Sequence, residues 1–153
     1  MKCITKCLAI ASLVVMSATA SAGPWYFDVG AGNADVEDDS DLYMKLGVGY
    51  QYSRAISFEG GYLDLGEPNN VGIDGFYGGA KGKIEMNKTT NLYGKVGLYL
   101  WDAGVADGND LLLGGGVEFE RVGPGNLGVE VLTVDLDDAD ATLIGVSYNI
   151  SLK

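Results

Sequence analysis

From Trp25 onward, apolar and polar side chains alternate with a period of two, and no stretch keeps a helical period for three turns. In "WYFDVGAGN" one face carries Trp25, Phe27, Val29 and Ala31; the other carries Tyr26, Asp28, Gly30 and Gly32. "LYMKLGVGYQY" sets Leu42, Met44, Leu46, Val48, Tyr50 and Tyr52 against Tyr43, Lys45, Gly47, Gly49 and Gln51. After a turn at Ser53-Arg54, "AISFEGGYLDLG" sets Ile56, Phe58, Gly60 and Tyr62 against Ser57, Glu59 and Gly61. Five further segments repeat the pattern. Phe76, Ala80 and Ile84 oppose Tyr77, Lys81 and Lys83, and Leu92, Val96, Leu98 and Leu100 oppose Tyr93, Lys95, Tyr99 and Trp101. Leu111, Leu113, Val117 and Phe119 oppose Glu118 and Glu120. Leu127, Val129 and Val131 oppose Glu130, and Ile144, Val146, Tyr148 and Ile150 oppose Gly145, Ser147, Asn149 and Ser151.

Eight strands of about ten residues result, with short turns (Ser53-Arg54, 86–90, 122–126) alternating with longer, carboxylate-rich connections (35–41, 65–73, 102–110, 135–140). The pattern predicts an all-β fold, an eight-stranded antiparallel up-and-down transmembrane β-barrel with its apolar row toward lipid and its polar row toward the lumen. Glu59 then points inward. The inward rows collect Asp28, Glu59, Glu118, Glu120 and Glu130 against Lys45, Lys81, Lys83 and Lys95, a lumen charge network. An eight-stranded barrel is only wide enough to be filled by side chains, and buried charges there must pair. No apolar core is expected, since the apolar surface would be solvated by lipid. An aromatic girdle of Trp25, Phe27, Tyr50, Tyr52, Phe58, Phe119 and Tyr148 is expected near the short-turn end, with Tyr62 and Phe76 a thinner one opposite.

Composition sharpens this. "MKCITKCLAIASLVVMSATASA", residues 1–22, reads as a secretory signal: Lys2 and Lys6, an apolar core from Cys7 to Met16, and a small-x-small site at Ala20-Ser21-Ala22. Residues 23–153 are then one barrel domain, without a cysteine, since Cys3 and Cys7 leave with the signal. The chain has 21 acidic residues and no histidine. That removes histidine-dependent nucleophilic catalysis and histidine-ligated metals, and so acidic a chain is a poor partner for nucleic acid. Fifteen of the acids gather at the long-loop end (Asp35, Glu37, Asp38, Asp39, Asp41, Asp64, Glu67, Asp74, Asp102, Asp107, Asp110, Asp135, Asp137, Asp138, Asp140) with no Lys or Arg among them.

Other motifs have plainer readings. "GGAKGKI" (Gly78–Ile84) leaves three residues between glycines where a phosphate-binding loop needs four before Gly-Lys, and Ile84 stands where Ser or Thr belongs. The acid loops "VEDDSD", "DAGVADGND" and "DLDDAD" lack the spaced ligands of an EF-hand, so weak attraction of Ca²⁺ or Mg²⁺ is expected in place of a defined site. The inward Glu/Lys set is read as structural pairing and not as acid–base machinery. No catalytic residue, cofactor or metal is expected.

"FEGGYLDLG" (Phe58–Gly66), "LYGKVGLYLW" (Leu92–Trp101), "GGGVEFE" (Gly114–Glu120) and "LGVEVLTVDL" (Leu127–Leu136) resemble successive strand motifs of the OmpA-like outer-membrane β-barrel family. The resemblance implies an integral protein of the Gram-negative cell envelope, located in the outer membrane, with both barrel termini periplasmic. Such barrels usually end in an aromatic residue read by the barrel-assembly machinery; this chain ends "YNISLK", keeping the apolar alternation through Tyr148, Ile150 and Leu152. The family's namesake continues into a peptidoglycan-binding domain, and that tethering role is not carried over.

The expected function is a non-enzymatic structural or surface-interaction role, with a charged, plugged lumen and acidic extracellular loops. Expected partners are outer-membrane lipid and lipopolysaccharide, with divalent cations bridging the like charges; a monomer is expected. Two alternatives stand beside it: a soluble periplasmic barrel holding a small apolar ligand, which would turn the apolar rows inward, and a narrow gated pore.

Overall fold

The computed structural model describes residues 24–37, 39–104, 106–136 and 139–152. The expected signal, residues 1–22, lies outside them, as do Asp38, Asp137 and Asp138. Eight strands run in chain order: β1 (Trp25–Val36), β2 (Asp39–Gln51), β3 (Ile56–Asp64), β4 (Asp74–Asn87), β5 (Thr90–Asp102), β6 (Asp107–Val122), β7 (Gly125–Leu136) and β8 (Ala139–Ser151). Each pairs antiparallel with the next, and β8 returns to β1, where Asp28 faces Asn149 and Ala34 faces Leu143. Closure leaves no free sheet edge and satisfies the ladder internally, which a lipid environment demands.

An even strand number brings both ends of the barrel chain together. The Leu152 N–H donates to the Trp25 carbonyl at 2.8 Å. This terminus end also carries the turns after β2, β4 and β6; the opposite, acidic end carries the other four connections. There the strands run further than the expected loops allowed. Asp35 pairs with Ser40 and Val36 with Asp39, Asp102 with Asp107, and Asp135 with Asp140. Ladder hydrogen bonds belong to the backbone, so carboxylates that project into water do not interrupt them. Only 65–73 remains a long connection, with a single 3₁₀ turn at Pro68–Asn70.

The outward row is apolar and open: Leu42, Phe76, Ile84 and Leu98 are each more than half exposed. Expectation fails on the other face. The lumen does contain an apolar core, because the inward row changes character along nearly every strand. It passes from Tyr26 and Asp28 to Ala34 and Val36 on β1, from Glu59 to Leu63 on β3, and from Lys95 to Tyr99 on β5. On β6, β7 and β8 it passes from Glu118 to Leu112, from Glu130 to Leu132 and Val134, and from Asn149 and Ser147 to Leu143 and Ala141. The second member of each pair lies nearer the acidic end. These apolar side chains, with Tyr43, Leu65, Ile73, Tyr77 and Leu136, form one buried cluster. The barrel is therefore filled by two stacked layers of different chemistry.

Candidate functional site

The charged layer is built from inward positions whose neighbours across the wall are often glycine. Asp28 lies opposite Gly47 on β2. Glu59 lies between Gly49 and Gly79, and Glu130 between Gly116 and Gly145. Glycine at these positions makes room for tyrosines from other strands: a Cβ at Gly49 would stand 2.1 Å from the Tyr26 ring, at Gly47 2.3 Å from the Tyr77 hydroxyl and at Gly116 2.8 Å from the Tyr93 hydroxyl. At Gly30 the demand comes from a lysine: a Cβ there would stand 3.1 Å from the Lys45 stem.

The charges then interlock. Lys95 Nζ is 2.8 Å from Glu59 Oε2, 3.4 Å from Glu130 Oε2 and 3.8 Å from Asp28 Oδ2. Lys45 Nζ donates to Glu130 Oε1 at 2.6 Å and lies 3.0 Å from Asp28 Oδ2. Lys81 Nζ donates to Glu118 Oε2 at 2.8 Å and stands 3.7 Å from Glu59 Oε1. Lys83 lies 3.7 Å from both Glu118 and Glu120. All nine charged positions read from the sequence are thus drawn into one continuous chain of pairs. Lys81 and Lys95 stand directly opposite each other across β4 and β5, a repulsive arrangement by itself. Glu59, within reach of both, separates them.

Neutral groups complete the layer, and the sequence had not marked them for this. Tyr26 donates its hydroxyl to Glu59 Oε1 at 2.7 Å, and Tyr93 donates to Glu130 Oε2 at 3.3 Å. Asn149 Nδ2 donates to Glu118 Oε2 at 3.0 Å, and Asn91 Nδ2 to Glu120 Oε1 at 2.7 Å. The Lys81 ammonium also sits 4.4 Å from the centre of the Tyr93 ring. Tyrosine at an inward position, next to a carboxylate row, was the available signal: a ring to fill space and a hydroxyl to donate. Above this layer, Tyr43 and Tyr77 reach the same carboxylates at 3.5 Å while their rings belong to the apolar cluster. Every lysine and every carboxylate of the layer engages another member. The arrangement sets four lysines against five carboxylates, each within reach of an opposite charge.

Among the aromatics read as a girdle, Trp25 and Tyr50 are register partners with rings 5.0 Å apart. Tyr50 also faces Phe58, which meets Tyr52 at 6.3 Å. Phe27 lies beside Ile150, and Phe119 and Tyr148 both pair with Leu127 of β7. Tyr62 and Phe76 meet at 5.6 Å toward the other end, where Tyr62 donates its hydroxyl to Asp74. "GGAKGKI" is a plain segment of β4, with Lys81 and Lys83 inward and Gly78 and Gly82 outward. Among the described residues, no group of three acidic side chains is placed to hold a metal ion.

Comparison with known proteins accords with this geometry. The family profile of the outer membrane protein beta-barrel domain matches residues 5–151. The chain belongs to that family. It is an outer-membrane protein, and the barrel crosses the membrane with its strands. The crystal structure of Neisserial surface protein A is similar at 14% identity and a TM-score of 0.66, covering 86% of this chain and 99% of that one. The N-terminal β-barrel domain of Pseudomonas aeruginosa OprF is similar at 12% identity and a TM-score of 0.60, covering 82% and 97%. A de novo designed transmembrane β-barrel is similar at 17% identity and a TM-score of 0.58, covering 85% and 98%. At such identities the likeness is one of fold. No curated protein sequence matches the chain. The soluble alternative falls here: it needed the apolar rows inside, whereas Leu42, Leu98 and Ile144 of this outer-membrane barrel face outward.

Proposed function

We propose that this outer-membrane barrel is closed and non-enzymatic, and that its role is structural or surface-interactive. Its lipid-facing wall and its acidic rim carry that role, and the lumen serves stability. The observation that carries the reading is the filling of the lumen from end to end, by interlocked charges in one layer and packed apolar side chains in the other. By the family's convention the terminus end is periplasmic and the acidic end faces outward. That end meets the phosphates of lipopolysaccharide, so Ca²⁺ or Mg²⁺ would bridge the like charges. The barrel acts as a monomer, inserted by the barrel-assembly machinery, with no affinity for nucleic acid. The test is conductance of the purified barrel in planar lipid bilayers. No steps above the bare-bilayer current are expected; sustained steps from the unaltered protein would overturn the closed reading.

A further inference from the structure

The two layers differ in how they meet water. Among the charged side chains only Glu120, at 31%, and Lys83, at 16%, both toward the terminus end, are appreciably exposed; the other seven are at most 8% exposed. Beside the outer members lies a polar cavity of about 30 Å³ lined by Tyr26, Ser57, Lys81, Glu118 and Asn149. A second, of about 20 Å³, lies where Lys45, Glu59 and Lys95 meet Leu63, Tyr77, Leu112 and Leu132. A water needs about 10–15 Å³ and two or more polar partners; the outer cavity offers both, whereas the second is walled mostly by apolar surface. Among the described residues, two buried acceptor atoms lack a hydrogen-bond partner, Asp28 Oδ1 and Asn149 Oδ1. Asn149 also lines the outer cavity.

Apart from that mostly apolar cavity at its boundary, the apolar layer is closed. Ala34, Tyr43, Leu63, Tyr99, Ala141 and Leu143 have no exposed surface. The Tyr99 hydroxyl is spent on the Leu63 carbonyl at 3.0 Å. An ion moving through the charged layer could exchange one paired partner for another. In the apolar layer it would lose its hydration with no partner in return, which is how hydrophobic constrictions close pores.

Resting on the closed-lumen reading above, we infer that the apolar layer is the barrel's barrier to water and ions, and that the charged layer takes up single waters, too few to solvate its charges, and only from the terminus end. The ion pairs hold the wall together; they are not the gate.

The test uses the barrel in planar bilayers and in proteoliposomes of defined orientation. Leu132→Ser with Leu143→Ser should give conductance steps at least tenfold above the bare-bilayer current, whereas Lys81→Met with Glu118→Gln should give none. The reverse pattern would overturn the inference. Should the apolar-layer variant fail to fold, single cysteines decide, since residues 23–153 contain none. Ser57→Cys should react with a small water-soluble thiol reagent added at the terminus end and not at the acidic end; Ala141→Cys should react from neither. Reaction of Ser57→Cys from the acidic end, or of Ala141→Cys from either, would overturn it. Conductance by the unaltered barrel would instead refute the closed reading, while the cysteine pattern would still show which layer water reaches.

Discussion

The two halves of the lumen solve one problem by opposite means. Both must fill a cylinder too narrow for bulk water with side chains from eight strands. The acidic half does so with Ala34, Leu63, Leu132, Val134 and Leu143, which need only shape. The terminus half uses Asp28, Lys45, Glu59, Lys95 and Glu130, which need partners at 2.6–3.8 Å. Packing tolerates the loss of one member at the cost of a void. A charge network does not, because each lost partner strands another charge in a low-dielectric interior. The packed half should thus yield gradually and the charged half abruptly.

The largest effect is expected at the hub of the charged half. Lys95→Met leaves Glu59, Glu130 and Asp28 without their shared cation and should cost about 3–5 kcal/mol of unfolding free energy. Urea unfolding of the barrel in lipid, followed by the mobility of unboiled samples in SDS, measures it. Leu132→Ala in the packed half should cost about 2–4 kcal/mol through the cavity it leaves, read by the same titration. If Lys95→Met cost less than Leu132→Ala, the contrast between the halves would be wrong.

The wall itself gives a smaller comparison. A Cβ at inward-facing Gly61 would sit 2.2 Å from the Leu46 carbonyl oxygen, whereas at outward-facing Gly78 the nearest atom is 4.0 Å away. Gly61→Ala should therefore destabilise by about 1–3 kcal/mol. Gly78→Ala should be neutral or slightly stabilising. Equal effects would mean that close backbone approach is not what requires glycine inside. Smallest is the rim. Asp102 and Asp107 are register partners on the outer face of β5 and β6, so Asp107→Asn should stabilise by a few tenths of a kcal/mol, roughly the penalty of opposed like charges. The gain should vanish in 1 M salt.

Much of this was legible in the sequence, for physical reasons. Alternation fixes which residues share a face, so the rows from Trp25 to Ile150 could be assigned inward or outward without coordinates. The charged positions followed from the same parity. Register did not, and with it went the pairings: nothing in the string says that Glu59 lies between two glycines, or that Lys81 opposes Lys95. The apolar layer was missed because alternation was read one face at a time. Its trace is in "LLL" at 111–113, "VL" at 131–132 and "LI" at 144 and before, where neighbouring residues are apolar and both faces must be too. Connection lengths were overestimated because Asp is a weak strand former, yet at a barrel's end the ladder outweighs that preference.

The claim on which the rest depends is that the charged half is dry enough for its members to need one another. A double-mutant cycle over Lys81 and Glu118, 2.8 Å apart, tests it most directly. With Lys81→Met and Glu118→Leu, each single change should cost several kcal/mol, and the double variant should be more stable than either single one. In a water-filled lumen each charge would be solvated on its own. The two losses would then be small and would simply add, and that result would contradict the account.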